Sequence, residues 1–320
     1  MSEVSASLSR SEPVLSRPLS RPMWIARQVY AGAVFIAPPL GTVWALARAW
    51  DSGVSALELG LLFAMYTATQ LGITLGYHRH LSHRAFVPHP TLELVLLVFA
   101  SMAGQGPPIH WAADHRRHHE FADEAGDPHS PQPGGWVGFW HAHVGWTFTH
   151  ALTNTLYYCR DLQRSARVRF VQQHYLLWLF AGLALPAAIG FAVRGDAAGF
   201  LSGLLWGGFV RLTFGHHATM SINSLAHLVG RRSFATRDRS RNLGWLALAS
   251  FGEGLHNNHH AFPSSADFAL NKAELDPGAW FLRAFAALGL ASDLKRPSQR
   301  VIAAHRAGLA APREDAVECP

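Results

Sequence analysis

Cysteine and charged residues are both scarce in this sequence. The chain of 320 residues has only two cysteines, Cys159 and Cys319, which excludes a disulfide framework, a thiolate metal motif and an iron–sulfur cluster bound by the chain itself. Charged residues make up 15% of the chain and hydrophobic residues 49%, whereas about a quarter of a soluble protein is charged. The segment 1–23 also lacks the apolar stretch of a cleaved signal peptide. This composition favours a membrane protein.

The apolar residues are concentrated in long runs. Four of them are long enough for a transmembrane helix, which needs about 20 residues, and they predict spans at about 29–50, 54–77, 175–193 and 197–214. The runs 92–106 and 243–254 are too short or too interrupted, so we expect them to lie at the membrane interface or against the functional site. The alternative is that all these runs are buried helices of a soluble protein.

The distribution of arginine predicts the orientation of the spans. Arginines precede the first and third spans and follow the fourth, whereas the two short connections offer Asp51 and Asp196. By the positive-inside rule, both termini and all histidine clusters should lie in the cytoplasm. The net charge of +6 suits an anionic membrane leaflet and requires no nucleic acid. We expect a disordered cytoplasmic tail at 1–23, a single domain at 24–296 and a loose tail at 297–320.

Histidine is abundant, and nine of the 20 histidines fall into four clusters beside the apolar runs. Neutral imidazole is the commonest metal-binding side chain, and a single metal site rarely uses more than four protein ligands. Nine histidines therefore predict two metals held together beside a membrane. The candidate ligands are His78, His83, His115, His118, His119, His227, His256, His259 and His260.

The spacing within these clusters is informative. In the two His-x-x-His-His elements the histidines stand at i, i+3 and i+4, so on a helix each element can direct three ring nitrogens into one space. His78 and His83 are five residues apart, about 140° around an ideal helix, and bind on either side of a metal pair unless the helix unwinds. By itself His227 reads as a surface or capping residue. Of the remaining histidines, His129 and His143 are candidates to support the site.

The donor types leave the metal open. The clusters do not form the hard oxygen ligand set of a Mg or Ca site, and the thiolates of a structural zinc site are missing as well. Imidazole suits Zn, Cu, Fe and Ni alike.

Several longer motifs resemble a known family. They are Gly72-Ile-Thr-Leu-Gly-Tyr-His78-Arg, Asp114-His-Arg-Arg-His-His119, Asp127-Pro-His129, His143-Val-Gly-Trp146, Asn223-Ser-Leu-Ala-His227 and Gly252-Glu-Gly-Leu-His-Asn-Asn-His-His260. Over about 23–290 the chain resembles membrane-bound fatty acyl desaturases of the stearoyl-CoA desaturase and bacterial delta-9 type. The resemblance implies an all-α membrane protein, with four transmembrane helices capped by a cytosolic helical domain that carries a histidine-ligated di-metal site.

The same resemblance implies a chemistry. The nine histidines would hold two Fe²⁺ ions, Asn223 would hold a metal-bound water, and Gln105, Trp111 and Thr219 would bend the acyl tunnel. The expected reaction uses O₂ to introduce a cis double bond, at the delta-9 position, into a saturated acyl chain. Ala113 and Met220 stand where acyl-CoA enzymes have an Arg and a Trp. That departure weakens the case for acyl-CoA and leaves acyl-lipid and acyl-carrier-protein substrates open.

Electrons have to come from a separate protein. The string Gln132-Pro-Gly-Gly135 lacks the haem-ligating histidine of the cytochrome domain fused to some relatives, so an external ferredoxin or cytochrome-type donor is expected. A fatty acid hydroxylase, acetylenase or oxidative decarboxylase would use the same ligands. A non-enzymatic membrane metal or haem protein is the alternative of another class. We expect a multi-pass protein of a bacterial inner membrane.

Overall fold

The computed structural model describes residues 15–132 and 134–308. These residues are mainly helical, which confirms the predicted all-α class. In chain order, the α-helices of the described part are α1 (Arg21–Ser52), α2 (Ala56–Leu71), α3 (Pro90–Met102), α4 (Pro108–Phe121), α5 (Gly135–Trp140), α6 (Trp146–Thr149), α7 (Thr155–Tyr158), α8 (Ala166–Gln173), α9 (Tyr175–Arg194), α10 (Ala197–Ser202), α11 (Arg211–Asn223), α12 (Gly244–Ala249), α13 (His256–Ala261), α14 (Pro277–Ala287) and α15 (Gln299–Arg306).

Other regular segments join or extend these helices. π-Helical segments occupy Gly72–Ser82, His141–Gly145 and Gly203–Val210, and short 3₁₀ turns occupy Leu162–Arg164 and Leu225–His227. The strands have two residues each and are β1 (Ser16–Arg17), β2 (Val87–Pro88), β3 (Leu152–Thr153) and β4 (Ala291–Ser292). β1 pairs antiparallel with β3, and β2 pairs antiparallel with β4.

Four helices of the described chain are long and apolar enough to cross a membrane. They are Arg21–Ser52, Ala56–Ser82, Tyr175–Arg194 and Ala197–His227, and they confirm the four predicted spans. The second and fourth helices continue past the predicted ends at Tyr77 and Phe214. His78 and His227 are therefore presented on rigid extensions of membrane-spanning helices.

Small residues allow the third and fourth spans to pack backbone against backbone. A Cβ atom at Gly203 would lie 2.0 Å from the carbonyl oxygen of Pro186, and one at Gly190 would lie 2.1 Å from that of Gly199. Such contacts are typical of transmembrane helix pairs, where close van der Waals packing replaces the hydrophobic effect. The outer faces of α1 and α9 expose large apolar side chains, as lipid-facing helices do.

The two shorter apolar runs pack against the second span. α3 lies against the segment Gly72–Ser82 and against α9. The close approach to the segment is possible because Gly72 has no Cβ atom, which would lie only 2.2 Å from the backbone nitrogen of Ala100. The run 243–254 contains α12, and its Glu253 contacts Thr74 on the second span. Both runs therefore pack onto the second span around the segment Gly72–Ser82.

The predicted tails need correction where the structure describes them. At the N-terminal end, β1 and the first residues of α1 already lie within 1–23, while 1–14 fall outside the described residues. At the other end the expected loose tail is wrong for Gln299–Arg306, which forms α15. This helix buries Val301 and Ile302 on one face, and the hydroxyl of Ser298 accepts a hydrogen bond from the Val301 N–H. The apolar face explains the ordering, and 309–320 lie outside the described residues.

Candidate metal centre

His78 and His83 come together because the helix that carries them is not an α-helix. In the π-helical segment Gly72–Ser82 the hydrogen bonds reach five residues back, as the bond from the His83 N–H to the His78 carbonyl does at 3.2 Å. Residues five apart then lie on nearly the same side instead of about 140° apart. The two ring centroids are 5.0 Å apart, so both rings belong to one donor group.

The nine histidines form two groups, within each of which the candidate ligand atoms lie within 4.8 Å of one another. The five-histidine group is His78, His83, His115, His119 and His259, and the four-histidine group is His118, His227, His256 and His260. His227, which the sequence alone would place on the surface, is buried within the second group. This arrangement agrees with the prediction of two metals held side by side.

Each His-x-x-His-His element is divided between the groups, which corrects the expectation of three nitrogens in one space. On α4, His115 and His119 join the five-histidine group, while His118 joins the other. On α13, His256 and His260 belong to the four-histidine group, while His259 belongs to the five-histidine group. This division follows from the helical rotation of about 100° per residue. The first and last histidines of each element, at i and i+4, lie about 40° apart, whereas the histidine at i+3 lies about 100° from the one at i+4.

Buried carboxylates orient the ring nitrogens. The Nδ1–H of His118 donates to Asp127 at 3.0 Å, that of His227 to Asp123 at 2.8 Å, and that of His260 to Asp238 at 3.0 Å. Glu253 lies against Nδ1 of His78 in the same way. A proton held on Nδ1 leaves the Nε2 lone pair free for a metal.

Sequence reasoning did not identify these four carboxylates. The available signal was their position, because Asp123 and Asp127 follow the second histidine cluster closely and Glu253 precedes the last cluster in a chain with few acidic residues. His129 lies beside the site, since its ring is 4.4 Å from that of His118 and its backbone N–H donates to Asp127 at 3.0 Å. His143 instead bonds to Ser224 and His217.

The electrostatics differ between the histidines: burial favours the neutral form at most of them, whereas at His118 the facing carboxylate of Asp127 outweighs burial and raises the pKa. Burial lowers the pKa of His83, His115, His119, His256 and His259 well below the ordinary value, so these rings stay uncharged. Burial acts against the charge of Asp127 and Asp238, but the facing imidazoles His118 and His260 hold the pKa of both carboxyls far below the usual range. Neutral imidazole is the form that binds metal.

The contacts between Nε2 atoms fit a pair of cations. Those of His118 and His260 are 3.3 Å apart, although both rings have committed their protons to carboxylates through Nδ1. In the neutral form of both rings the two Nε2 lone pairs face each other, and a cation bound between them would satisfy both. Nε2 contacts of 2.7 to 2.9 Å join His83 to His115, His78 to His259, His119 to His259 and His227 to His256. The donor set therefore fits two imidazole-bound metal ions.

A narrow cavity adjoins the histidines and contains the other predicted site residues. Asn223, Trp111 and Thr219 line it together with histidines of both groups. Gln105 is tied to this wall, since its Nε2 donates to Thr219 Oγ1 at 2.8 Å and its Oε1 accepts from the Trp111 indole at 3.4 Å. The structure thus brings the predicted tunnel residues and Asn223 to the edge of the donor groups.

Asp127→Asn is expected to weaken metal binding by about 10- to 100-fold, the usual effect of losing a partner that orients a ligating histidine. Both Asp127 oxygens also accept backbone N–H groups, from Asp123 at 2.9 Å and from His129 at 3.0 Å. The NH₂ group of an asparagine at this position would therefore face one of these N–H donors. Competition with a chelator measures the change. The matched control is Glu124→Gln on the same loop, where the side chain is exposed. Equal metal retention by the two variants would contradict the assigned role of Asp127.

Comparison with known proteins agrees with this centre. A family model described as fatty acid desaturase matches residues 54–284. The hex-5-enoyl-[acyl-carrier protein] acetylenase of Moorena producens (strain JHB) is 39% identical over 279 residues, which cover 85% of this chain and 87% of that protein. The delta-9 acyl-lipid desaturase 2 of Arabidopsis thaliana is 39% identical over 241 residues, which cover 75% of this chain and 76% of that protein.

A cyanobacterial relative has a similar extent. The sn-1 stearoyl-lipid 9-desaturase of Synechocystis sp. (strain ATCC 27184 / PCC 6803 / Kazusa) is 37% identical over 249 residues, with 77% of this chain and 74% of that protein covered. The histidine groups, the four spans and these matches agree, and this chain belongs to the fatty acid desaturase family of membrane oxidoreductases.

Proposed function

We propose that this protein is an O₂-dependent fatty acyl desaturase that introduces a cis double bond, at the delta-9 position, into a saturated acyl chain. The nine histidines would hold two iron ions, and Asn223 would hold a water at the centre. The observation that carries the proposal is the pairing of two histidine groups with a narrow cavity lined by Trp111 and Thr219. The names of the two acyl-lipid desaturases support the position of the bond.

Bound iron supplies the activation of dioxygen. The reaction removes one hydrogen from each of two adjacent methylenes and consumes O₂, two electrons and two protons. The products are the double bond and two molecules of water. The chain contributes placement, because only a methylene pair held beside the centre reacts.

The residues around the cavity would hold the acyl chain in a bent form. The Trp111 ring stacks on the His115 ring, with centroids 5.2 Å apart and planes 17° apart, so the cavity wall is fixed relative to a ligand. Its indole and the Thr219 hydroxyl are both held by Gln105. The polar groups of this wall are therefore satisfied by one another, and it can exclude water next to the reacting carbons.

The substrate is proposed to be an acyl-lipid or acyl-carrier protein. Ala113 and Met220 are both buried and uncharged, so neither position supplies a cation or an indole for a CoA head group. The electrons would come from a separate ferredoxin or cytochrome-type protein. The membrane is proposed to be a bacterial inner membrane, and the arginine distribution supports a centre on its cytoplasmic side.

Acetylenase activity is a second candidate, and one observation favours it. The similarity to the Moorena producens acetylenase covers 85% of this chain, against 75% and 77% for the two desaturases above. An acetylenase would use the same donor groups on a chain that already contains a double bond. The difference would then lie in which chain the cavity accepts.

Lipid analysis of a desaturase-deficient bacterial host tests the proposal. The host expresses the full chain together with a ferredoxin and its reductase, and a strain with an empty vector is the control. We expect new monounsaturated acyl chains, with derivatisation placing the bond at the delta-9 position. Alkynyl, hydroxylated or shortened acyl chains would instead indicate acetylenase, hydroxylase or oxidative decarboxylase activity. Unchanged lipids with iron-loaded protein in the membrane would contradict an acyl-modifying role.

A further inference from the structure

A buried arginine lies inside the fourth membrane-spanning helix. Arg211 is 1% exposed and belongs to the helix Ala197–His227. Its guanidinium donates to three backbone carbonyl oxygens, those of Gly207 at 3.1 Å, Met102 at 2.7 Å and Gly182 at 2.7 Å. A charge at this depth is costly, and charged residues within spans usually have a function. The proposed handling of the acyl chain does not yet use this arginine.

Two of the three carbonyls lack the usual partner within their own helix. Gly182 stands four residues before Pro186 in α9, and proline has no N–H to donate. Met102 is the last residue of α3, where the final carbonyls of a helix are unpaired and a cation is favoured. Arg211 therefore joins the C-terminal end of α3 to the third and fourth spans.

The turn that follows α3, residues 103–107, is held by further side chains of the spans. Its backbone groups form hydrogen bonds of 2.9 to 3.0 Å with the first, third and fourth spans: the Ala103 carbonyl accepts from His216, the Gly104 carbonyl accepts from Tyr30, and the Gly106 N–H donates to the hydroxyl of Tyr175. Non-helical backbone at membrane depth is tolerated only where the protein satisfies it or where it lines a cavity. The turn is thus fixed from three sides.

This turn carries Gln105, which holds the wall of the narrow cavity. Gln105 stands between Gly104 and Gly106, whose φ angles of 69° and 102° suit glycine above other residues. Its side chain bonds to Thr219 at 2.8 Å and to the Trp111 indole at 3.4 Å, and both of these residues line the cavity. A displacement of the turn would therefore move the wall that is proposed to bend the acyl chain.

We infer that Arg211 is a positioning residue that anchors this turn and thereby sets which carbon atoms of the acyl chain react. The inference rests on the proposed function, because it names what determines the position of the double bond. Arg211 acts through Met102 and the turn on Gln105, and Gln105 holds the bend. The distance from the bend to the histidine groups selects the methylene pair beside the centre. A misplacement of about 1 Å can change a rate by about 100-fold.

The test compares Arg211→Met and Arg211→Lys with the wild-type full chain. Methionine has no donor for the carbonyls, whereas lysine keeps the charge on a single nitrogen. Thr213→Val is the matched control on the same helix, because the Thr213 hydroxyl contacts that of Thr42 on the first span at 2.8 Å and not the turn. Tyr30→Phe removes only the hydroxyl that donates to Gly104, and it replaces Arg211→Met if that variant does not fold.

Hydrogen exchange of metal-free protein in lipid nanodiscs is the first measurement. The amides of residues 103–106 should exchange about tenfold faster in Arg211→Met than in the wild type, because local opening of the turn becomes easier. Arg211→Lys should be intermediate, and Thr213→Val should stay within about twofold of the wild type. Equal exchange in Arg211→Met and Thr213→Val would overturn the inference.

The position of the double bond in the lipids of the expressing host is the second measurement. In Arg211→Met the share of product with the bond one or two carbons from the wild-type position should rise about tenfold, while total product falls. Arg211→Lys should restore part of the wild-type position. A lower yield with an unchanged bond position would indicate a merely structural role and would also overturn the inference.

Failure of the inference and failure of the proposed function give different results. New double bonds at the same position in every variant would leave the proposed function intact and remove the role of Arg211. No acyl product from iron-loaded wild type would overturn the proposed function and, with it, the assignment of the reacting carbons. Faster exchange in Arg211→Met would even then retain Arg211 as the anchor of the turn.

Discussion

Replacing His256 by alanine is expected to abolish product formation and to lower the metal content per chain. His256 is buried, its Nε2 lies 2.9 Å from that of His227, and its ring lies 4.3 Å from that of His260. Without it the four-histidine group retains three imidazoles, and the affinity of a site depends on its full set of ligands. Roughly half of the bound metal should be lost, since the five-histidine group keeps all its members.

The measurement combines lipid analysis of the expressing host with elemental analysis of purified protein. His174→Ala is the control, because His174 is exposed and belongs to neither group. A single symmetric elution peak establishes that His256→Ala protein is folded. Wild-type amounts of product and metal in the His256→Ala protein would remove the four-histidine group from the proposed mechanism.

Removing the carboxylate of Asp276 should cost about 3–5 kcal/mol of stability, the usual effect of leaving one partner of a buried ion pair uncompensated. Asp276 and Arg79 are both buried and lie 2.8 Å apart. The carboxylate also accepts the backbone N–H groups of Phe268 at 2.7 Å and Ala279 at 2.9 Å. Because Arg79 follows His78, the pair ties the loop before α14 to the segment that carries the first ligands.

Thermal unfolding of detergent-solubilised Asp276→Ala protein measures this loss. The control is Asp267→Ala, whose partner Arg283 is partly exposed and whose ion pair should contribute about 0–1 kcal/mol. The double variant Arg79→Met/Asp276→Ala should recover part of the stability, because it no longer buries an unpaired charge. If Asp276→Ala were as stable as Asp267→Ala, the buried pair would not be what anchors this loop.

The identity of the candidate ligands was readable from the sequence, but their grouping was not. Cluster spacing and the count of nine histidines predicted two metals, and the structure places all nine in two adjacent donor groups. Spacing could not predict that His118 belongs to the four-histidine group and His259 to the five-histidine group, because this depends on how α4 and α13 face each other. It could not predict the contact of His78 with His83 either, since a π-helix has no recognisable signature among these residues.

The supporting residues were harder to predict. Asp123 and Asp238 are separated by more than a hundred residues. They contact His227 and His260 only because the segment 231–241 packs against the end of α4. Gln105 and Thr219 likewise meet across the fold at 2.8 Å. Helix α15 was missed because its amphipathic pattern extends over only eight residues.

The sequence by itself determined the membrane character, the four spans and the chemical type of the ligands, because these depend on local composition and on periodicity along one helix. The tertiary structure decided which histidines share a donor group, which carboxylates contact their rings, and which residues line the cavity beside them. These properties depend on distances between side chains that are remote in sequence, and packing of the spans and of the helices above them sets those distances.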